Sequence, residues 1–357
     1  MAAEIELKLC LPEAALDPLR QHPLLQRWQR HPPATEALDN RYFDTPEQAL
    51  NRHAVALRVR RQGAAFIQTL KTRGSSQGGL HQRHEWEWAL PTAELDASLL
   101  PSDALPAGIE PQQLETAFHT DFERTTWRLD YRSDDSAASI ELVLDRGWVS
   151  AGARRDPIRE IELELKGGDA EALIAFAREL AASLPLRICR ISKAERGYRL
   201  GAPERARRLP PLAQPDIDAN QQQAFYQLAA SLTERLQAAM EGFEFLHEAE
   251  GLLPLCEDLP ALALLLHGYQ AALPAEAQTL ARQLTTQADA LQQMLAPLLI
   301  ERRWSGATPG QDGLATRLTE WLNSLALGQA LLGLSALLYR RPWRQPAAPF
   351  RCDAGDG

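Results

Sequence analysis

Residues 4–8 read EIELK, and residues 160–166 read EIELELK. In a strand, alternate residues share a face. Glu4, Glu6 and Lys8 therefore point one way, and Ile5, Leu7 and Leu9 the other. Alone, such a stretch is an ordinary strand with its charges in water and its apolar residues on a core. What decides the fold is whether other strands repeat the pattern.

They do. The first two hundred residues read mainly as strands: 3–11, 39–45, 53–62, 65–73, 80–90, 117–132, 138–150 and 157–166, with turn chemistry in QGA (62–64) and DRGW (145–148). Two helices intervene, PEAALDPLRQ after the first strand and 169–184, for which Asp169 is the expected cap. Every strand but 39–45 has one heavily charged face. LRVRR contributes Arg58 and Arg60; IQTLKTR contributes Lys71 and Arg73. HQRHEWEW aligns Arg83, Glu85 and Glu87, with Trp86 and Trp88 opposite. FERTTWRLDYR aligns Arg124, Arg128, Asp130 and Arg132, opposite Trp127, Leu129 and Tyr131. IELVLDR offers Glu141 and Asp145, and the last strand Glu162, Glu164 and Lys166.

An open sheet could turn these faces to water, but two helices are too few to cover the apolar side. A closed antiparallel barrel puts the charges inward and leaves the apolar face for helices and a second domain. Charges without partners inside a barrel would destabilise it by several kcal/mol each. Both signs are present, so hard divalent cations and a multiply charged phosphate chain would satisfy them together.

Composition narrows the class further. The chain has 357 residues and a net charge of −9, room for two domains and weak grounds against a general nucleic-acid binder. Its four cysteines are scattered without zinc-ligand spacing, and the N-terminus has no signal-peptide pattern. No apolar run is long enough for a bilayer, so a cytoplasmic protein without membrane partners is expected. Of 38 basic residues only Lys8, Lys71, Lys166 and Lys193 are lysines. In a chain this rich in arginine, the remaining lysines mark candidate positions where a compact ammonium is required. There is no H-E-x-x-H, no phosphate-binding G-x-x-x-x-G-K-[ST] and no legible serine triad.

The E-x-E-x-K of residues 4–8 resembles the signature of the CYTH family, the triphosphate tunnel metalloenzymes. The likeness continues in order through LRVR, TLKTR, GGLHQRHEWE, TDFERTTW, LDRG, EIELELK and ISKAERGY, covers about residues 1–200, and takes in all four lysines. It implies an α+β fold, an eight-stranded antiparallel β-barrel (tunnel) with flanking helices over residues 1–202. It implies magnesium or manganese on Glu4, Glu6, Asp145, Glu162 and Glu164. Lys8, Arg58, Arg60, Lys71, Arg124, Lys166, Lys193 and Arg196 would bind the phosphates, Arg196 by helping to close one end. Glu4, Glu6, Lys8, Arg58 and Glu85 form the expected catalytic set. The resemblance is to bacterial inorganic triphosphatases in particular, implying hydrolysis of tripolyphosphate to diphosphate and phosphate. Other readings on the same scaffold are a class IV adenylate cyclase, a thiamine or nucleoside triphosphatase, and a non-catalytic polyphosphate-binding module.

After a Pro- and Arg-rich linker at 203–216 the period changes to that of helices, through 220–252, 258–273, 275–299 and 312–340. This half, 217–340, resembles CHAD, a helical phosphate-binding module, but contains only His247 and His267 and lacks repeated H-x-x-R motifs. A packing role against the barrel is expected of it, with 341–357 as a tail.

Overall fold

The computed structural model describes residues 4–72, 75–77, 80–83, 85–101, 105–106, 108–133, 136–215, 218–304 and 313–343; of Glu4, residues 75–77, 80–83 and 301–304 only the backbone is described. The expected sites Glu4 (its side chain), Arg73 and Arg83 (its side chain) thus lie outside the described residues.

The strands are β1 (Glu4–Cys10), β2 (Ala34–Asp44), β3 (Ala56–Gln62), β4 (Ala65–Lys71), β5 (Ser75–Gln77), β6 (Leu80–Arg83), β7 (Glu85–Leu90), β8 (Glu115–Arg132), β9 (Ala137–Ala151), β10 (Arg154–Gly168) and β11 (Arg187–Ile188). The expected count of eight is thereby corrected. Eleven antiparallel segments form one sheet whose hydrogen-bonded path is open, in the order β5-β6-β1-β10-β9-β8-β2-β3-β4-β7, with β11 beside β1. The excess arises because β5 follows the strand expected at 65–73, because the strand expected at 80–90 is two segments, and because the two-residue β11 pairs with β1. The path nevertheless returns on itself in the chain: β6, paired with β1, ends one residue before the start of β7, paired with β4.

Both faces of the curled sheet are covered. Outside, Leu7, Leu9, Trp127, Leu129, Tyr131, Ile140, Leu142, Ile161 and Leu163 form one core with the helices α1 (Leu16–Arg20), α2 (Pro23–Trp28) and α4 (Glu171–Ala181). A second cluster, Phe43, Leu50, Leu57, Val59, Leu70 and Leu90, includes the short helix α3 (Ala49–Arg52), with Trp86 and Trp88 packed against it. The tryptophans of β7 and β8 are thus outer-face packing, as their strand phase implies. The expected cap of α4 is not used: Ala170 holds the cap position and Asp169 offers its backbone carbonyl to Ala172.

Inside, the face that the sequence reads as uniformly charged is charged along only part of its length. Leu38 and Tyr42 of β2, Phe118 and Phe122 of β8, Val149 of β9 and Ile158 of β10 share strand phase with Arg124, Asp145 and Glu162. They form an apolar floor with Tyr198 and Leu200 of α5 (Lys193–Gly201). Phe118 stacks on Tyr42 at 4.6 Å and meets Tyr198 edge-on at 5.1 Å. At the other end of β8, Arg128 is exposed and Asp130 pairs at the surface with Arg30.

Beyond residue 203 the chain is helical: α6 (Gln221–Leu246), α7 (Leu255–Gly268), α8 (Glu276–Trp304), α9 (Leu314–Leu322) and α10 (Leu325–Arg340). Their leucines build a separate core, while Leu332 and Ala336 of α10 enter the core outside the sheet. Among the described residues no single helix is long and apolar enough to cross a membrane; α9 and α10 meet that test only as a bent pair.

Gly197 lets α5 lie on the floor, since a Cβ there would fall 2.2 Å from the Phe118 ring. Gly197→Ala should therefore destabilise the chain by about 1–3 kcal/mol, read as a lower urea midpoint at unchanged slope.

Candidate active site in a charged cavity

Above the floor lies a cavity of about 790 Å³, walled by β1, β2, β3, β4, β7, β8, β9 and β10 and by the start of α5. Strand alternation brings one set of side chains from each strand to it. Glu6 and Lys8 come from β1, Arg58 and Arg60 from β3, Thr69 and Lys71 from β4, and Glu85 and Glu87 from β7. β8 supplies Arg124, β9 Glu141, β10 Glu162, Glu164 and Lys166, and α5 supplies Lys193. The barrel interior expected from the sequence is thus where these charges meet.

They are arranged, not mixed. Lys193 is the first residue of α5, a helix capped by Ser192, whose hydroxyl accepts from the Glu195 amide at 3.1 Å. Its ammonium is 2.6 Å from Asp145, 2.5 Å from Glu160 and 3.2 Å from Glu162. Lys8 joins from β1, 3.1 Å from Glu162 and 3.6 Å from Glu160. Arg124 forks onto both oxygens of Asp145 at 2.7 and 2.6 Å and reaches Glu162 at 3.0 Å. Burial opposes charge on Lys8, Lys193 and Arg124, but the carboxylates outweigh it and all three stay above their ordinary values. Burial likewise pulls the Glu162 carboxyl upward, yet Lys193, Lys8 and Arg124 hold it well below the usual range. Asp145 is lowered despite its burial by Lys193 and Arg124.

The opposite wall is unlike this knot. Arg60 donates from Nε to Asn40 Oδ1 at 2.8 Å, and Asn40 donates to Thr120. Burial, then the neighbouring Arg58 and Arg124, pull the Arg60 guanidinium down to about 9. Repulsion of this kind is relieved by an anion placed among the three arginines. Tyr42 responds to the same field: burial raises its hydroxyl, but Arg58, Lys193 and Arg60 bring it below the normal tyrosine value. Lys71 lies 2.8 Å and Arg58 3.8 Å from Glu85.

Acids gather on the wall of β1, β10 and β9. Glu6 is opposite Glu164, and Glu164 opposite Glu141, across three adjacent strands. Lys166 sits beside this row, 2.6 Å from Glu164 and 3.5 Å from Glu141. An all-oxygen donor set of this kind suits hard divalent cations. Among the described residues, the carboxylates whose oxygens lie within 4.8 Å of one another are a different group, Asp145, Glu160 and Glu162. The Lys193 ammonium already stands among those three carboxylates.

Two expected site residues fall elsewhere than on the wall. Asp145 is fully buried beneath Arg124 and Lys193. Arg196 lies behind Glu160, 3.1 Å from Asp156 and 3.8 Å from Glu160, away from the cavity wall. Sequence reasoning passed over Glu160 and Tyr42. Glu160 is in phase with Glu162 and could have been found by that; Tyr42 is in the one strand set aside for lacking a charged face.

With the geometry in place, comparison with known proteins identifies the class. Residues 2–198 match the family model described as the CYTH domain, and the chain belongs to that family. Over 208 residues it is 34% identical to an inorganic triphosphatase of Haemophilus influenzae, covering 57% of this chain and 56% of that protein. The match thus spans little more than half the length of that relative. Among solved structures, similarity extends to HpAC1 from Hippeastrum, a candidate adenylyl cyclase with a dominant triphosphatase activity. That match has 19% identity and a TM-score of 0.40 over 54% of this chain and 93% of that one. An inorganic triphosphatase structure aligns at 18% identity and a TM-score of 0.21, over 49% and 81% of the two chains.

The depressed Glu162 carboxyl gives a signed pH dependence. Its stabilisation is complete above the unfolded glutamate value and is lost as pH falls through the lower folded value. Glu162→Gln should cost about 3 kcal/mol at pH 7, the low end for a broken buried pair because Lys193 keeps two other partners. The gap between wild type and variant should narrow below about pH 4, where the unfolded glutamate takes up its proton, in unfolding midpoints measured from pH 7 to 3.

Proposed function

We propose that the cavity binds inorganic triphosphate together with a divalent metal, magnesium or manganese, and hydrolyses it to diphosphate and phosphate. The observation that carries this reading is the segregation of charge. Arg58, Arg60 and Arg124 crowd one side with Arg60 weakened by its neighbours, and an acidic row faces the same hollow from β1, β10 and β9. A ligand that is only an anion would answer the first wall and be repelled by the second. A metal-bound polyphosphate answers both. The triphosphatase relative supports the same choice of reaction.

Phosphoryl transfer asks mainly for positioning and for neutralisation of charge spreading over phosphate oxygens. Arg58, Arg60 and Arg124, with Lys71, are placed to hold those oxygens, and Lys8, Lys166 and Lys193 to supply further cations. Lys8 and Lys193 are poor proton donors because their ammonium forms are stabilised; they act as fixed charge. Glu162, held well below its ordinary value, is for the same reason a poor base and serves to anchor Lys8, Arg124 and Lys193. Glu6, Glu164 and Glu141 would hold the metal, with Glu4 expected beside them from the same strand. A divalent cation there supplies a Lewis acid for the phosphate oxygens and a means of orienting the attacking water. We take residues 1–202 as the unit that carries this chemistry.

Phosphate release should be measured with tripolyphosphate, ATP and thiamine triphosphate, each with magnesium, with manganese and with neither. Tripolyphosphate with metal should turn over fastest, and cyclic AMP as the main product from ATP would overturn the choice. Arg60→Gln should lower kcat/KM about 100-fold. Glu6→Gln should abolish most of the metal-dependent turnover, and wild-type rates in that variant would remove the acidic row from the mechanism.

A further inference from the structure

The helical region touches the segment that delivers Lys193, and does so through one buried carboxylate. Residues 187–192 have little regular structure of their own: two residues of β11, then a connection to the Ser192 cap. On their outer side runs α6. Its Glu241, 6% exposed, accepts from the amide of Arg190 at 2.5 Å and from that of Ile191 at 3.1 Å. The backbone carbonyl of Glu241 accepts from Arg199 Nη1 at 3.3 Å, and its carboxylate lies 3.8 Å from Arg199 Nη2. One turn along, Glu244 pairs with the buried Arg187 at 2.8 Å. Arg190 itself reaches the carbonyl of Glu234 at 3.2 Å. One stretch of α6 therefore grips the segment before Lys193 and, through Arg199, the helix after it.

A carboxylate is removed from water only at considerable cost unless its oxygens are satisfied. Glu241 is satisfied by two main-chain amides that immediately precede the helix cap, so its position fixes theirs. Those amides fix Ser192, and Ser192 fixes the first turn of α5, whose first residue puts its ammonium within 3.2 Å of three carboxylates. We propose that Glu241, in the helical region outside the family-matched segment, is a positioning residue for Lys193, so that the helical region is a working part of the site and more than a covering for the sheet. The test uses the hydrolysis proposed above as its readout, with triphosphate binding as an independent second readout.

The full-length chain should be prepared as wild type, Glu241→Ala, Glu241→Asp, Glu241→Gln, Lys193→Ala and the Glu241→Ala/Lys193→Ala double variant. Glu248→Ala, which breaks only the exposed pair with Arg207, is the control. With tripolyphosphate and magnesium, Glu241→Ala should raise KM about tenfold while kcat changes less than about threefold, because a displaced Lys193 loses hold of substrate and transition state alike. Glu241→Asp, too short to reach both amides, should raise KM by an intermediate factor and serves if the alanine variant does not fold. Glu241→Gln retains an acceptor for the amides and should stay near wild type, as should the control. In the Lys193→Ala background Glu241→Ala should add less than about twofold. Multiplying effects in the double variant, or a wild-type KM in both Glu241→Ala and Glu241→Asp, would overturn the inference. If wild type does not hydrolyse tripolyphosphate, the reaction proposed above fails, and the same cycle read as Kd for tripolyphosphate by calorimetry still decides the role of Glu241.

Discussion

A lysine ammonium surrounded by three buried carboxylates is the interaction on which this molecule is organised. Asp145 and Glu160 are fully buried, and the Glu162 side chain is 17% exposed toward the cavity. Such a group of acids cannot persist inside a sheet without cations, because desolvation and mutual repulsion both oppose it. The cations come from three directions: Lys8 from β1, Arg124 from β8 and Lys193 from α5. Two are strand neighbours fixed by the sheet itself. The third arrives at the end of the family-matched segment, on a helix that must be held against the sheet by something else. Much of the remaining architecture serves that requirement, from the glycine that lets α5 lie on Phe118 to the acids of α6 that grip its approach.

The interior is consequently divided into three zones. An aromatic floor seals one end, a neutralised knot of lysine, arginine and acid sits above it, and a cavity with sparsely paired arginines facing an acidic row lies beyond. In the last zone Lys71 and Arg58 share Glu85, Lys166 pairs with Glu164, and Arg60 donates to the neutral Asn40. The knot has partners for its charges without a ligand, which is why Glu162 and Asp145 are shifted downward and Lys8 and Lys193 upward, each against the effect of burial. Arg60 is shifted the other way, by burial first and then by the neighbouring Arg58 and Arg124. Arg58 and Arg124 nearby are shifted upward, burial being outweighed by Tyr42 and Glu85 for the first and by Asp145 and Glu162 for the second.

The sequence made the sheet legible because alternation of charged and apolar residues is a local property. EIELK and EIELELK are read within one strand, and Arg58, Arg60, Lys71 and Glu85 reach the cavity wall as their phase implies. Phase cannot say where along a strand the interior changes character. Phe118 and Phe122 alternate with the exposed His119, Asp121 and Glu123 as regularly as Arg124 alternates with its neighbours, and nothing local marks them as a floor. Strand count was blurred for a similar reason, since 80–90 reads as continuous and the short segments at 75–77 and 187–188 carry no alternation long enough to read. Glu160 was overlooked because its role depends on Lys193, thirty-three residues away on a helix. Glu241 was beyond reach, being one glutamate among several in α6 whose importance lies in which main-chain amides it meets.

The floor of Phe118, Phe122 and Tyr198 also bounds where negative charge is welcome. Lys193 lies 5.0 Å and Arg124 5.7 Å from the centre of the Phe122 ring. An aromatic face attracts cations and offers an anion nothing, so these two cations are backed by a ring on one side and turned toward carboxylates and the cavity on the other.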